Sequence, residues 1–454
     1  MTESTQKGQL GRQAVVIGGS VAGIATARVL SEHFDKVLIL EKDPVDEGQP
    51  GFRDSTRQDR HLHQLLKGGA QAIERMFPGV TEDFVSSGAV QMDLGMDLVW
   101  STLGTSLPRE PLNINILQQT RPQLEHLMRR RLHDSGNVEF RDQCAVLGLL
   151  TTDDHERVTG VQVMERDTNQ RIEIAADLVV DTSGRGSHLS RWLKELDYVP
   201  PESLLAKTDL AYTSLLFEDP HLGSDRPWLG YYVAAVPPTS PVGGAILPQE
   251  NGRWLVTLYG YDGNHSPTDL DGYMEFASKL PDKAIYEAVR EAKPIGEAHV
   301  FQSAGPLRRY YEKLSRFPDG LLTLGDGMCS LDPVYGQGMS SAILSAEALG
   351  EVLTDLGEGR SNLKGLYKTF FKKIGRILDT PWTMCMGTAM VYSSDTPSAK
   401  EKRESAYLTK VSTVAKEHPD LWVQFLRVMQ LVDPLESLHT PAIESLVSQA
   451  NDQA

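Results

Sequence analysis

The sequence predicts an α/β fold, α+β over the whole chain. In it a Rossmann-like nucleotide-binding domain carries an inserted antiparallel sheet and is followed by C-terminal helices. An apolar run at 13–18 leads through a glycine-rich turn into a small-residue helix at 22–30, and a second apolar run follows at 37–40. Residues 212–261 are rich in Tyr, Val, Trp and Leu between Pro and Gly turns, which is typical of antiparallel strands. Beyond residue 363 the pattern is helical.

These patterns predict four segments along the chain. We assign 1–200 to the first part of the nucleotide-binding domain, with a small insert at 85–112, and 201–295 to a substrate-binding β-sheet domain. Residues 296–360 then form the second part of the nucleotide-binding domain, and 361–454 form a helical region.

Shorter patterns fill in these segments. A Pro-, Gly-, Asp- and Arg-rich stretch at 43–60 predicts a long surface loop. A helix at 121–132 precedes a strand at 138–140 and a strand meander within 145–174. Two long helices are expected at 363–390 and 407–432.

Composition excludes several classes of function. The chain has 454 residues, and its net charge of -16 would repel a nucleic-acid backbone. No window approaches the roughly 18 apolar residues of a membrane span, and the first ten residues lack the apolar core of a signal peptide. The three cysteines, Cys144, Cys329 and Cys385, lack CxxC spacing. We therefore expect a cytoplasmic protein without membrane insertion, with reduced cysteines that serve in packing.

The first glycine-rich turn carries a dinucleotide fingerprint. Gly18 and Gly23 match the first and third glycines of G-x-G-x-x-G, and Ser20 replaces the middle one. Gly18 allows the tight turn and Gly23 allows close packing of the helix, while the small Ser20 leaves room for a pyrophosphate at the helix N-terminus. Glu41 ends the next strand, where an acceptor for ribose hydroxyls is expected. A turn without a ligand is the weaker alternative.

Two further turns follow short strands. The segment DTSGRGS at 181–187 follows the run 177–180, and by itself it is equally consistent with an ordinary strand-to-helix turn. The segment LLTLGDGMCSLDPVYGQGMSSAILSAEAL begins with a strand that ends at Gly325 and Asp326. Pro333 stiffens the turn before a helix at about 340–356, whose N-terminal dipole can stabilise negative charge.

The order of GGSVAG with Glu41, then DTSGRGS, then LGDGMCSLDPVYGQGM resembles the FAD-dependent monooxygenases of the para-hydroxybenzoate hydroxylase-like superfamily. The resemblance covers roughly 12–356. Within that superfamily, DRHLHQLLKGGAQAIERMFPG, QQTRPQLEHLMRRRL and FLRVMQLVDPLESL are similar to flavin epoxidases of polyether biosynthesis and related bacterial oxidoreductases.

The resemblance implies FAD and a set of residues that bind it. By it, Glu41 would hold the adenosine ribose, and Arg121 with one of Arg57 or Arg60 would face the pyrophosphate. Asp326 would bind the ribitol or pyrophosphate, and the amides near Gly338 and Met339 would meet the pyrimidine end of the flavin. The full set of predicted cofactor-binding residues is Gly18, Gly19, Ser20, Ala22, Gly23, Glu41, Lys42, Arg60, His61, Arg121, Ala145, Gly325, Asp326, Pro333, Gly336, Gln337, Gly338 and Met339.

The resemblance also implies the chemistry. Reduced flavin would take up O2, and the flavin hydroperoxide would epoxidise or hydroxylate a largely apolar specialised metabolite. No charged catalytic residues are expected, because the reaction takes place on the flavin. Electrons would come from NAD(P)H or from a partner flavin reductase. The superfamily's second motif usually reads Asp-Gly and also serves NAD(P)H, so DTSGRGS weakens the case for direct nicotinamide use.

Three other functions are open on the same fold. A flavin halogenase is one, although its usual W-x-W-x-I-P segment is absent from the sequence. A reductase or dehydrogenase of the geranylgeranyl-reductase kind is the second. The third is a flavin-binding protein without catalytic activity, against which the intact third motif argues.

Several side chains have two interpretations each. His61 and His63 could bind a metal, but hydrogen-bonding residues lining the flavin cavity are favoured, and no metal is predicted. Asp332 could act as an acid or base, with a helix cap favoured. Sheet core is favoured over an apolar substrate pocket for Trp228, Tyr231, Tyr232, Trp254, Tyr259 and Tyr261. Helix packing is favoured over a lid or a dimer face for Phe370, Phe371 and 384–390.

Overall fold

The computed structural model describes residues 10–107, 109–222, 227–359, 362–393 and 398–449. The strands are β1 Gly11–Ile17, β2 Phe34–Leu40, β3 Val90–Asp93, β4 Leu98–Thr102, β5 Thr105–Ser106, β6 Asn115–Gln118, β7 Val138–Arg141, β8 Cys144–Thr151, β9 Val158–Glu165, β10 Gln170–Ala175, β11 Leu178–Asp181, β12 Ser203–Leu205, β13 Leu210–Glu218, β14 Gly230–Ala234, β15 Val242–Gln249, β16 Arg253–Gly260, β17 Pro294–Ser303, β18 Leu307–Arg309, β19 Leu321–Thr323 and β20 Cys329–Ser330. The helices are α1 Val21–Leu30, α2 Lys67–Met76, α3 Val80–Ser86, α4 Arg121–His133, α5 Leu189–Glu195, α6 Leu270–Lys279, α7 Ala284–Val289, α8 Gly338–Gly359, α9 Leu366–Tyr392, α10 Ala399–Ala415, α11 Pro419–Met429 and α12 Pro441–Gln449.

A five-stranded parallel sheet forms the centre of the nucleotide-binding domain, in the order β19, β11, β1, β2, β7. Its strands are apolar because the sheet is packed against helix α1 and against strands β8 and β9, and Ala14, Val15 and Val16 of β1 are fully buried. The carboxyl ends of β1, β11 and β19 lead into the three glycine-rich turns. The Rossmann-like fold is confirmed, and its topology brings the three motifs to one edge of the sheet.

Strands β8, β9 and β10 form the predicted meander as a three-stranded antiparallel sheet. It follows β7 directly in the chain, and the backbone N–H of Cys144 at its start donates to the carbonyl of Glu41 at 2.7 Å. The meander is therefore attached at the end of β2, beside the predicted ribose acceptor.

The larger sheet is antiparallel except for one pair and has seven strands, in the order β17, β13, β16, β15, β14, β4, β5. Alternate residues of each strand point to opposite faces. Trp254, Val256 and Leu258 of β16 pack with α6 and α7, whereas Tyr259 packs on the other face. Strand β4, from the region predicted as a small insert, pairs in parallel with β14 and extends this sheet. The inserted antiparallel sheet is confirmed as part of the fold.

The C-terminal region is helical, as predicted, but one predicted helix is wrong. Residues 407–432 do not form a single helix, since α10 ends at Ala415 and α11 begins at Pro419. His418 has φ -127° and ψ 95°, an extended conformation that a following proline favours, and Pro419 takes the first helical position, where no N–H is needed. The apolar residues keep a helical spacing on both sides of this break, and Pro419 is the local signal of it.

Helix α9 is packed along most of its length. Phe370, Phe371 and Met386 are buried in the main core, and Met384 packs with the helices that follow. This confirms helix packing for the residues that could otherwise have formed a lid. Cys144, Cys329 and Cys385 are buried free thiols. Over the described ranges, no helix combines the length and the apolar character that a membrane crossing requires.

Candidate FAD-binding site

The turn between β1 and α1 has the geometry that the fingerprint requires. Gly18 has φ +101°, in the left-handed region that glycine tolerates. A Cβ atom on Gly23 would lie 1.9 Å from the carbonyl oxygen of Gly18, so a side chain there would push α1 away from the turn. Both predicted glycine roles are confirmed.

Ser20, the residue in place of the middle glycine, is held by two charged side chains. Its Oγ donates to Glu125 Oε1 at 2.6 Å and accepts from Arg121 Nη2 at 2.6 Å. Arg121 lies at the start of α4, where Thr120 caps the helix. The turn is thereby tied to α4, and Arg121 is placed next to it.

Glu41 lies at the end of β2 with only 5% of its surface exposed. Its carboxylate accepts from the backbone N–H of Gly19 at 2.8 Å and of Asp43 at 3.0 Å, and from Arg53 Nη1 at 3.2 Å. The acceptor is therefore fixed beside the fingerprint turn, as a ribose-binding carboxylate should be. Lys42, the next residue, is exposed.

Four buried charged residues around this turn escaped the sequence analysis: Arg53, Asp59, Glu125 and Arg129. None belongs to a motif, and Arg53 and Asp59 lie in the long loop where the composition is polar throughout. One signal was available, since Arg121, Glu125 and Arg129 follow each other at intervals of four and so lie on one face of α4.

The turn of the third motif lies against the start of the helix that follows the first motif. A Cβ atom on Gly325 would lie 3.3 Å from the Cβ of Ala22, and one on Gly184 would lie 4.0 Å from the Cβ of Asp326. The three glycine-rich turns therefore converge. Burial raises the pKa of the Asp326 carboxyl, and the charge of Arg121 is the largest influence opposing this rise.

The turn before α8 is organised by Asp332 and Gln337. Asp332 Oδ1 accepts from the Val334 N–H at 3.0 Å, which confirms the predicted cap. Gln337 Nε2 donates to the carbonyl of Met429 at 3.3 Å, while its buried Oε1 has no hydrogen-bond partner in the part of the chain that the structure describes. Gly336 has φ +65°, and the helix then begins at Gly338.

The segment 61–66 runs between these two ends of the site. His63 Nε2 lies 3.4 Å from Arg121 Nη1, and the Leu66 N–H donates to Ser340 Oγ at 3.0 Å on α8. His61 Nδ1 shares a hydrogen bond of 2.8 Å with Ser214 Oγ on the larger sheet. Burial lowers the pKa of His61 and of His63 to about 3, so both are neutral at physiological pH.

These contacts agree with the favoured interpretation of the two histidines as hydrogen-bonding residues. Among the residues that the structure describes, no group of three or more His, Cys, Asp or Glu is arranged to hold a metal ion. Arg57 and Arg60 are exposed, and Arg60 stacks 4.4 Å from the Phe52 ring. The loop arginine that lies next to Glu41 is Arg53.

The aromatic residues of the larger sheet divide between its faces. Trp228, Tyr231 and Trp254 belong to the core under α6 and α7, as the favoured interpretation held. Tyr232, Tyr259 and Tyr261 belong to the opposite face, where they pack with Val334 from the turn before α8 and with Tyr392 from α9. Only this second group faces the nucleotide-binding domain.

Asp332 is a buried carboxyl at that boundary. Its carboxyl is 1% exposed and accepts from Tyr261 Oη at 3.1 Å, and burial raises its pKa from 3.8 to about 6. Because this pKa is raised by folding, its contribution to stability is fully present below about pH 4 and is lost as the pH rises through 6.

We expect Asp332→Asn to remove this pH dependence. Relative to the variant, the unchanged protein should lose up to about 3 kcal/mol of unfolding free energy between pH 4 and 7. Urea denaturation of both proteins across that range measures the difference. Asp35→Asn, at an exposed carboxyl, is the control and should change little. A constant difference between Asp332→Asn and the unchanged protein at all pH values would contradict the expectation.

The family is decided by comparison with known proteins. The model of the FAD binding domain family matches residues 12–369. The chain belongs to this family. The flavoprotein is 34% identical over 358 residues to Protein Rv3254 of Mycobacterium tuberculosis, across 75% of this chain and 72% of that protein. It is 25% identical over 186 residues to digeranylgeranylglycerophospholipid reductase 1 of Methanosphaera stadtmanae, across 40% of each chain.

Solved structures share the fold of the flavoprotein at low identity. A flavoprotein/dehydrogenase from Cytophaga hutchinsonii has a TM-score of 0.70 at 15% identity, covering 97% of this chain and 98% of that one. The flavin-dependent brominase Bmp2 gives 0.68 at 15%, with 98% of both chains covered. p-Nitrophenol 4-monooxygenase PnpA from Pseudomonas putida gives 0.63 at 18%, with 93% and 98% covered.

The residues at the converging turns of the flavoprotein fit FAD. The Gly18–Gly23 turn is shaped for a pyrophosphate, and Glu41 is placed to accept from ribose hydroxyls. Gln337 Oε1, which has no hydrogen-bond partner among the described residues, lies buried beside the start of α8. The coarse prediction, a flavin-dependent oxidoreductase, is therefore supported both by family membership and by the site.

Proposed function

We propose that the flavoprotein is an FAD-dependent monooxygenase that transfers one oxygen atom from O2 to a largely apolar specialised metabolite, by epoxidation or hydroxylation. The observation that carries this proposal is the aromatic face of the seven-stranded sheet, which lies against the turn before α8. An apolar, aromatic wall suits an apolar substrate and excludes water from a reactive oxygen species. The side chains on this face are Trp100, Tyr212, Tyr232, Tyr259, Tyr261 and Phe301.

In this proposal the chain holds the cofactor and shapes the site. Glu41 would accept from the adenosine ribose, Arg121 would face the pyrophosphate, and the first amides of α8 would point at the pyrimidine end of the flavin. Two electrons delivered through bound FAD would reduce O2, so that one oxygen atom enters the substrate and the other leaves as water.

The hydroxyl groups on the aromatic face would orient the substrate. Tyr232 Oη and Tyr259 Oη lie 3.0 Å apart, and Tyr259 Oη accepts from the Ala235 N–H at 3.1 Å. Burial raises the pKa of Tyr259 to about 12, so this phenol stays protonated, and where its O–H donates to Tyr232 Oη the Tyr232 O–H can donate to a polar group of a substrate. These contacts support a substrate with one polar group on an apolar body.

The electron donor is proposed to be NAD(P)H or a partner flavin reductase. In the second motif, Arg185 donates to the carbonyl of Gly305 at 2.8 Å and to Ser330 Oγ at 3.0 Å. These bonds to the protein leave its Nη1 occupied. Because the motif also reads DTSGRGS where the superfamily usually has Asp-Gly, we favour a separate reductase over direct docking of a nicotinamide at the second motif.

Anaerobic reduction followed by oxygen tests the proposal. The FAD-loaded protein is mixed with NADPH or NADH without oxygen, and then with O2 in a stopped-flow instrument while flavin absorbance is recorded. Rapid reduction and then an oxygen-dependent transient would support a self-sufficient monooxygenase. Reduction only by a chemical donor or a flavin reductase, with the same transient, would support a two-component enzyme. Direct return to oxidised flavin without a transient would contradict monooxygenase activity.

A reductase is the second candidate, favoured by the sequence similarity to the Methanosphaera stadtmanae reductase. If the protein is a reductase, its reduced flavin should react slowly with oxygen and should be oxidised by an unsaturated acceptor instead. Reoxidation of the anaerobically reduced protein by an isoprenoid alkene, measured at the flavin absorbance, would favour this second function.

A further inference from the structure

Four buried charged side chains form a closed ring beside the fingerprint turn. Arg53 Nη2 lies 2.5 Å from Glu125 Oε2, Glu125 Oε1 lies 2.9 Å from Arg121 Nε, Arg121 Nε lies 3.1 Å from Asp59 Oδ1, and Asp59 Oδ2 lies 3.9 Å from Arg53 Nη2. Each of these side chains is at most 8% exposed. We call Arg53, Asp59, Arg121 and Glu125 the charge ring.

The charge ring joins three parts of the chain. Arg53 and Asp59 come from the long loop, and Arg121 and Glu125 come from α4. Ser20, on the fingerprint turn, is hydrogen-bonded to the two ring members on α4. One hydroxyl thus connects the turn to the ring.

The donors of Arg121 show why this hydroxyl matters. The single N–H of Nε is donated to Glu125, so the contact with Asp59 is electrostatic and not a hydrogen bond. Nη2 donates to Ser20, and Nη1 lies 3.4 Å from the neutral His63. Without the hydroxyl, the buried Nη2 loses its acceptor and Glu125 loses one of its donors. A buried charged group that loses a hydrogen bond is costly, so the guanidinium would have to move.

We propose that Ser20 is a positioning residue for FAD: its hydroxyl holds the Arg121 guanidinium toward the pyrophosphate, so that replacement by glycine, the fingerprint residue, weakens FAD binding. The fingerprint alone predicts the opposite, since glycine allows the closest approach of a pyrophosphate to the turn. Ser20 has φ -89° and ψ -172°, an extended conformation that does not require glycine. The serine is therefore explained by its hydrogen bonds and not by backbone geometry.

The positive and negative charges within the charge ring compensate each other. It contains two arginines and two carboxylates, and Arg53 and Arg121 hold the pKa of Glu125 low although burial opposes this. A pyrophosphate would therefore meet a guanidinium whose charge is already partly compensated, and its orientation decides how strongly it binds. We therefore expect the loss of the Ser20 hydroxyl to lower the affinity for FAD.

The test uses the purified apoprotein with two probes, FAD and ADP, which share the adenosine and pyrophosphate. Ser20→Gly and Ser20→Ala are compared with the unchanged protein by fluorescence titration with FAD and by calorimetry with ADP. The expected result is an increase in Kd of about ten- to a hundredfold for both probes, because the hydroxyl bonds to charged groups. Ser345→Ala removes a buried, hydrogen-bonded hydroxyl from the middle of α8 and serves as the control, with FAD and ADP affinities unchanged.

Ser20→Thr separates positioning from folding, because it keeps the hydroxyl. We expect it to retain most of the affinity that Ser20→Gly loses, while urea denaturation reports the stability of each apoprotein. The proposal is overturned if Ser20→Gly binds FAD as tightly as the unchanged protein or more tightly. It is also overturned if Ser20→Thr loses as much affinity as Ser20→Gly, or if only FAD and not ADP is affected. None of these readouts depends on oxygen chemistry, so the failure of the monooxygenase proposal leaves the result intact.

Discussion

Replacing Gly23 by alanine is expected to abolish FAD binding. The added Cβ would lie 1.9 Å from the carbonyl oxygen of Gly18, and that atom belongs to backbone that cannot rotate away. Helix α1 would have to shift from the turn, which removes the amides that a pyrophosphate needs. We expect the Kd for FAD to rise by at least about a hundredfold. Flavin absorbance of the purified protein and fluorescence titration of the apoprotein measure the loss.

Gly148→Ala is the matched control for this change. Gly148 lies in β8, where an added Cβ would come no closer than 3.5 Å to another atom, the side-chain oxygen of Gln162. This variant should bind FAD like the unchanged protein. Near-normal flavin content in purified Gly23→Ala would contradict the assignment of this turn as the pyrophosphate site.

The second large effect is expected at Arg308, on stability. Its side chain is 1% exposed, and Nη2 donates to Glu312 at 2.7 Å, to the carbonyl of Gly375 at 3.0 Å and to Asp379 at 3.2 Å. The two hydrogens of Nη2 are shared among these three acceptors, and the contacts with Gly375 and Asp379 fasten α9 to the short sheet that contains β18. Arg308→Ala removes the packing and leaves Glu312 without its cation, so we expect the unfolding free energy to fall by about 3 kcal/mol. Urea denaturation of the apoprotein measures it.

Arg316→Ala provides the comparison, because that side chain is 57% exposed and lies 3.9 Å from Glu156. An exposed ion pair contributes little, and we expect a change within about 0.5 kcal/mol. If the two alanine variants were equally stable, the buried cation would not be what holds α9 in place.

The elements that the sequence predicted well are those whose signal is local. The glycines at 18 and 23 have roles that follow from one turn and the helix after it, and the parallel strands follow from short apolar runs. The spacing of four on α4 indicates that Arg121 and Glu125 share a face, but their partners from the long loop could not be predicted in this way, because Arg53 and Glu125 are 72 residues apart. Charged residues are usually exposed, so burial of this kind follows only from the assembled fold.

Three features of the larger architecture were also not predicted: a helix break, a strand pairing and the division of aromatic residues between the faces of a sheet. The break before Pro419 had a local signal, but the apolar spacing on both sides is compatible with one continuous helix. The pairing of β4 with β14 had none, because a strand does not encode its neighbour when the two are separated by more than a hundred residues. The division of aromatic residues between the two sheet faces became clear only once the strand register was known.

This seven-stranded sheet has a consequence for the order in which the chain can fold. Its central strands come from 210–260, but β4 and β5 precede them and β17 closes the other edge after them. Strand β4 can pair with β5 early, but its other edge stays open until β14 has been synthesised, and β13 keeps an open edge until β17 arrives. Pairings of such long sequence separation slow folding and leave strand edges exposed in the meantime. The aromatic face proposed to bind substrate is therefore completed late in folding, only after β17 has paired with β13.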